Sequence, residues 1–160
     1  YGETLRDPVG VISKFPRIKV LDRNEKMGKS LGNALYLSDD YDTIKKKVMG
    51  ALTDPARIRK DDKGHPDVCM VYYYHKLFST IDEVKTTRTE CENGTRGCVS
   101  CKKQLIENIN AKLEPIRDKR HYYEEHPDEV KDILMAGTAK AKKEAEKTME
   151  KVKKAMMLDY

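Results

Sequence analysis

Ser38-Asp39-Asp40-Tyr41-Asp42-Thr43-Ile44-Lys45-Lys46-Lys47-Val48-Met49-Gly50-Ala51-Leu52 is where the chain changes character. Ser38 reads as a helix N-cap. Asp39, Asp40 and Asp42 place acid in the first turn, where it complements the positive end of the helix dipole. Ile44, Val48 and Leu52 then recur at helical spacing, while Lys45, Lys46 and Lys47 mostly face solvent. From Ser38 onward the chain reads as mainly helical, and upstream of it as short strands and loops.

Moving outward toward the C-terminus, Asp54-Pro55 opens a short turn of helix and Lys60-Asp61-Asp62-Lys63-Gly64 reads as a loop. His65-Pro66-Asp67 starts a helix that runs about to Ser79 and carries Val68, Val71, Tyr72, His75, Leu77 and Phe78, with proline at a tolerated early position. Tyr72, Tyr73 and Tyr74 cannot share one face; one at least belongs in the core, and one is left for stacking. His75 fits a structural role at a helix interface. A polar helix is predicted from Ile81 to Asn93, ended by Gly94. Leu105, Ile109, Leu113 and Ile116 repeat at nearly one turn, with Pro115 expected to kink or interrupt that helix. Pro127-Asp128-Glu129 opens the last helix. Its stripe of Val130, Ile133, Leu134, Ala141, Ala145, Met149, Val152 and Met156 is expected to pack on the rest of the domain. The lysines from Lys140 to Lys154 alternate with Glu144, Glu146 and Glu150, which is ordinary surface charge pairing.

Residues 1–37 read differently. Gly10-Val11-Ile12 and Ile18-Lys19-Val20-Leu21-Asp22 look like short strands separated by Phe15-Pro16, without the long β-α-β alternation of a nucleotide-binding sheet. The chain has 160 residues, 38% hydrophobic and 37% charged, no Trp and two Phe, a thin apolar supply suited to helices with one buried face. A net charge of +5 permits a polyanionic partner. No apolar run approaches the roughly 20 residues that span a bilayer, and Tyr1-Gly2-Glu3-Thr4-Leu5-Arg6-Asp7 lacks the features of a signal peptide, so a cytoplasmic location is expected. A start at Tyr1 rather than Met reads as a piece of a longer protein.

Two groups of residues carry chemistry. Lys26-Met27-Gly28-Lys29-Ser30, followed by Leu31-Gly32-Asn33, sets two lysines among small residues, a loop suited to closing over a polyphosphate. Taken alone it is a weak signal. The four cysteines, Cys69, Cys91, Cys98 and Cys101, are separated by 21, six and two residues. Cys98-Val99-Ser100-Cys101 follows Gly97 where a loop enters a helix, so both thiolates can point at one metal ion or cluster. Zinc sites more often use two tight pairs, and only one pair is tight here. An iron–sulfur cluster, zinc and free thiols all remain open on spacing alone.

The wider string Glu25-Lys26-Met27-Gly28-Lys29-Ser30-Leu31-Gly32-Asn33 resembles the second signature of class I aminoacyl-tRNA synthetases. Tyr36-Leu37-Ser38-Asp39, Ala51-Leu52-Thr53-Asp54, Gly64-His65-Pro66, Tyr74-His75-Lys76-Leu77-Phe78, Gly97-Cys98-Val99-Ser100-Cys101-Lys102-Lys103 and Pro115-Ile116-Arg117 extend the likeness toward the bacterial tryptophanyl branch. Gly28 stands where that signature has serine, which removes a hydroxyl and leaves both lysines.

The resemblance implies a mainly α chain. Residues 1–37 would be a short β/loop remnant of the catalytic domain with the lysine loop, and residues 38–160 an α-helical anticodon-binding bundle with the four-cysteine site. It implies that Lys26 and Lys29 are catalytic, and that Lys26, Met27, Gly28, Lys29 and Ser30 hold the phosphates of ATP, used with Mg²⁺. Cys69, Cys91, Cys98 and Cys101 would be ligands of a [4Fe–4S] cluster, with zinc as the alternative. Arg88, Arg96, Lys102, Lys103 and Arg117 are candidates for contacts to tRNA(Trp). The whole enzyme would be a homodimer that joins L-tryptophan to its tRNA; the 160 residues alone would be a monomer unable to form the adenylate. A stand-alone tRNA-binding module and a metal- or redox-sensing helical domain are the alternatives.

Overall fold

The structure, a computed structural model, describes residues 1–2, 4–22, 27–28 and 34–158. Five α-helices carry it: α1 (Tyr41–Met49), α2 (Met70–Phe78), α3 (Ile81–Glu92), α4 (Cys98–Glu125) and α5 (Pro127–Ala155), with a 3₁₀ turn at Pro66–Val68. The chain divides into two compact units, Phe15–Lys119 and Tyr1–Lys14 with Arg120–Tyr160.

In the first unit, the helix starts follow local hydrogen bonding. The cap of α1 is Asp40 rather than Ser38, its Oδ1 accepting from the Thr43 N–H at 2.8 Å. Asp39 is already committed: its Oδ2 accepts from the Tyr36 N–H at 2.9 Å and from Lys47 Nζ at 2.6 Å. The helix predicted from His65 is broken at Cys69, which takes an extended conformation (φ −91°, ψ 120°), and α2 begins after it. Asp54-Pro55 forms a turn without a helix. α3 opens on a capping box between Thr80 and Glu83 and closes at Asn93 and Gly94, close to expectation.

α4 runs straight through Pro115 in hydrogen-bonding pattern, against the predicted interruption. Pro115 and Ala111, the residue whose carbonyl loses its partner, are both exposed, so that carbonyl is open to solvent and the loss costs little.

The core joins Ile44 and Val48 of α1, Val71, Tyr72 and Tyr74 of α2, and Leu105, Ile106, Ile109 and Leu113 of α4, with Leu21 and Ala51. Each such side chain, fully buried, contributes about 1.5–3 kcal/mol. The apolar stripe of α4 ends at Leu113; Ile116 is exposed.

The segment before the lysine loop is held by two tyrosine hydroxyls and one backbone bond, not by a sheet. Tyr74 Oη donates to the Lys19 carbonyl at 2.6 Å, Tyr73 Oη to the Arg17 carbonyl at 3.0 Å, and the Leu52 N–H to the Leu21 carbonyl at 2.9 Å. Lys19 makes one isolated bridge, and the described residues contain no strand. Both predicted strands are therefore absent; without a pairing ladder, the apolar alternation of Gly10-Val11-Ile12 remains in solvent, Val11 being 97% exposed.

In the second unit, the 29-residue α5 buries none of its residues. The stripe expected to pack is open: Val130, Ile133, Leu134, Met149 and Met156 are all exposed.

Candidate functional site

Three places in the fold, the start of α2, the end of α3 and the start of α4, bring the four cysteines together. Cys69 precedes α2, placed by the 3₁₀ turn, which Asp54 organises: this buried carboxylate accepts from the N–H of Ala56 (2.9 Å) and of His65 (2.8 Å) and pairs with His65 Nδ1 at 2.8 Å. Cys91 lies in the last turn of α3, and its carbonyl accepts from the Gly64 N–H at 2.9 Å. Cys98 and Cys101 open α4 one turn apart, on one face. All four line one small cavity, together with Thr53, Arg57, Val71, Tyr72, Thr87 and Arg96. Among the described residues, no carboxylate lines it.

Two glycines allow this closeness. A Cβ on Gly64 would stand 2.6 Å from Cys91 Sγ. Gly94 has φ +72°, and a Cβ there would meet the Asp61 carbonyl oxygen at 2.3 Å.

The cavity is small, mostly apolar in lining, and faced by two cations, Arg57 and Arg96. Burial pushes the thiols of Cys69 and Cys91 up, and that of Cys101 up to about 11; Arg57 beside Cys91 and Arg96 beside Cys101 oppose the rise. Arg57 Nη1 lies 4.0 Å from Cys91 Sγ and 3.9 Å from Cys98 Sγ. His75, fully buried, contacts Ser79 Oγ at 2.6 Å and, through Nε2, the Cys101 carbonyl at 3.2 Å and Sγ at 3.4 Å. Burial lowers its pKa, so it is neutral, in the structural role expected of it. The cysteines are free, and among the described residues no three His, Cys, Asp or Glu side chains close to the spacing that a single metal ion requires.

Arg57, Arg96 and Cys98 also line a second, wider cleft, together with Arg59, Lys60, Gly97, Ser100 and Lys103. Of the RNA candidates read from the sequence, Arg96 and Lys103 lie on this cleft, beside Arg57, Arg59 and Lys60, which the sequence did not single out. The signal was Arg57-Ile58-Arg59-Lys60, a basic run just before the loop.

The other RNA candidates are spread elsewhere and engaged within the chain. Arg88 makes a two-pronged pair with Asp67 (2.8 and 3.0 Å) and reaches Glu92 at 2.9 Å. Lys102 caps α1 through the Met49 carbonyl at 2.8 Å. Arg117 bridges the Asp39 carbonyl and Asn110 Oδ1, at 3.1 and 3.2 Å. Tyr72 and Tyr74 are buried, and Tyr73 packs edge-on to Phe15 and Tyr74, so none of the three is left free for stacking.

Of the lysine loop, Lys26, Lys29 and Ser30 lie outside the described residues. Met27 is half-buried against the core, its N–H 3.4 Å from the Ile18 carbonyl. Beyond the loop, Lys47 Nζ donates to the Ala34 carbonyl at 2.8 Å.

The model of the tRNA synthetases of class I (W and Y) matches residues 2–114. The chain belongs to this synthetase family. A tryptophan–tRNA ligase of Aquifex aeolicus is 41% identical over 159 residues, 99% of this chain and 40% of the relative. That of Thermotoga maritima is 38% identical over 161 residues, all of this chain and 49% of the relative. The chain thus spans two-fifths to about half the length of these synthetases, in their C-terminal portion. The crystal structure of a Campylobacter jejuni tryptophanyl-tRNA synthetase complexed with ADP and tryptophan superposes with a TM-score of 0.74 at 28% identity, over 89% of this chain and 44% of that one. The synthetase match takes in the lysine loop and all four cysteines; α5 lies beyond it. No helix among the described residues is long and apolar enough to cross a membrane.

Proposed function

We propose that the whole protein is a tryptophan–tRNA ligase of the cytoplasm, acting as a homodimer. It would activate L-tryptophan with ATP and Mg²⁺ and transfer it to tRNA(Trp). The observation that carries the reading is the identity of 38–41% with tryptophan-specific relatives over essentially the whole chain, lysine loop included.

Amino-acid activation attacks the α-phosphate of ATP and expels pyrophosphate, so negative charge grows on phosphate oxygens. Lys26 and Lys29 are assigned to that charge, within a phosphate-binding loop formed with Met27, Gly28 and Ser30. Cations placed for charge that develops in the transition state lower the barrier more than they tighten substrate binding. The division of labour we assign is residues 1–37 to the catalytic domain and residues 38–160 to anticodon recognition. The full-length enzyme is expected to catalyse ATP–pyrophosphate exchange with tryptophan and not with tyrosine; exchange that depends on tyrosine overturns the assignment.

We further assign a [4Fe–4S] cluster to Cys69, Cys91, Cys98 and Cys101. What supports it is the chemistry of the donor set: four sulfurs on one small cavity, no carboxylate among the described lining residues, and two guanidiniums to offset thiolate charge. Thiolates gathered without a metal in so apolar a cavity are costly, which the raised thiol pKa values of Cys69 and Cys101 express. A cluster also tolerates sulfurs set farther apart than a single zinc ion does. Its role here would be structural, tying the start of α2, the end of α3 and the start of α4. Protein prepared without oxygen is expected to be brown, with broad absorption near 400 nm (about that wavelength for such clusters); colourless protein containing zinc refutes the assignment.

A further inference from the structure

The wider cleft is built by one loop and one corner. The loop is Arg57 to Lys60, stiffened by Asp62, whose Oδ2 accepts from the N–H groups of Ile58 (3.1 Å) and Arg59 (2.6 Å), and by Arg57, which donates to the Lys60 carbonyl. The corner is the passage from α3 to α4, with Glu90, Thr95, Arg96 and the first turn of α4. Gly94 presses the two together, since its α-carbon leaves no room for a side chain against Asp61.

Five cations line this cleft, Arg57, Arg59, Lys60, Arg96 and Lys103, against one acid, Glu90. Glu90 is neutralised by Arg96 at 2.6 Å. Arg59, Lys60 and Lys103 form no ion pair among the described residues. The Nε atoms of Arg57 and Arg96 are buried and have no acceptor. The first turn of α4 contains no acid. Elsewhere Lys47, Arg88, Arg120 and Lys147 each reach a carboxylate within 3 Å, and the unpaired lysines, such as Lys45 and Lys46 on α1, line no cleft with other cations among the described residues. Two unpaired cations on a stiff loop and a third on α4, set beside two fixed guanidiniums, are arranged to receive an anion with several oxygens.

We propose that this cleft is the seat of the RNA sugar–phosphate backbone, with Arg59, Lys60 and Lys103 as phosphate contacts and Arg57 and Arg96 as the fixed floor. The proposal rests on the reading of the protein as a tRNA ligase and names where on the chain the tRNA is held. An open, cation-lined cleft with no exposed aromatic among its lining residues favours backbone contacts over base stacking. RNA is favoured over an acidic protein because phosphodiester charges are evenly spaced and accept from several donors at once.

The test is binding of tRNA(Trp) to the full-length protein at several salt concentrations. Arg59→Ala with Lys60→Ala is expected to weaken binding about tenfold or more at low salt and to flatten the salt dependence by roughly 0.7 per lost contact. Lys103→Ala should give a smaller loss in the same direction. Lys142→Ala with Lys143→Ala, on the exposed face of α5, serves as the charge-matched control and should change neither quantity. All these side chains are exposed, and unchanged circular dichroism confirms folding. Wild-type protein that fails to bind tRNA overturns the ligase reading itself. Wild-type binding with unchanged affinity and salt slope in the cleft variants overturns only the cleft. Equal displacement of the RNA by polyglutamate of matched charge would instead favour an acidic protein and also overturn it.

Discussion

α4 and α5 have the same periodicity and opposite fates. Leu105, Ile109 and Leu113 repeat every four residues on α4 and are buried; Val130, Ile133 and Leu134 on α5 recur at similar spacing and are exposed. The difference lies in what faces them. α4 is met by Ile44 and Val48 of α1 and by the tyrosines of α2, whereas α5 buries nothing. Hydrophobic spacing tells which face of a helix is apolar; it does not tell whether a partner is present to cover that face.

The comparison can be broken by truncation. Ile109→Ala, at a fully buried site, is expected to lower unfolding stability by about 2–5 kcal/mol in a denaturant titration. A loss under about 1 kcal/mol would mean that the α4 stripe is no more a core than that of α5. Gly94→Ala forces a side chain into left-handed backbone against the Asp61 carbonyl and should lower stability by about 1–3 kcal/mol. It should also loosen the loop that bears Arg59 and Lys60, read as faster proteolysis between α1 and α2. Thr80→Ala removes half of a capping box and should reduce stability by about 0.5–2 kcal/mol. The smallest effect belongs to α5: Ile133→Ala should stay within about 0.5 kcal/mol, and a larger loss would reveal a contact for the exposed stripe.

Asp54 adds a pH test on the buried side. Burial pushes its carboxyl up, but the N–H groups of Ala56 and His65 and the His65 ring outweigh it and hold the pKa below the ordinary 3.8. A depressed carboxylate contributes stability that is complete above pH 3.8 and is lost as the pH falls through the lower folded value. Asp54→Asn should flatten that acid limb of the stability curve, while the wild type keeps it.

The helical half was legible because its signals are local. Thr80 before Ile81, Gly94 after Asn93 and Pro127 at the start of α5 mark their boundaries chemically. Boundaries failed where side chains compete across distance. Ser38 lost the cap because Asp40 reaches Thr43, and the helix expected from His65 is broken at Cys69 because the Met70 N–H donates to the Leu52 carbonyl. The cysteines were legible as a set, since only four occur, but their convergence depends on Gly64 and on a loop with no periodicity. Arg57, Arg59 and Lys60 escaped for the same reason. The intrachain partners of Arg88 and Arg117 could not be read in advance, because basic residues in sequence look alike whether or not an acceptor lies across the fold.

The lysine loop carries the central claim, and pyrophosphate exchange by the full-length enzyme tests it most directly. Lys26→Ala and Lys29→Ala should each reduce tryptophan-dependent exchange by about 10²–10³, the loss typical of a donor aimed at transition-state charge. Exchange at the wild-type rate in both variants would contradict the account.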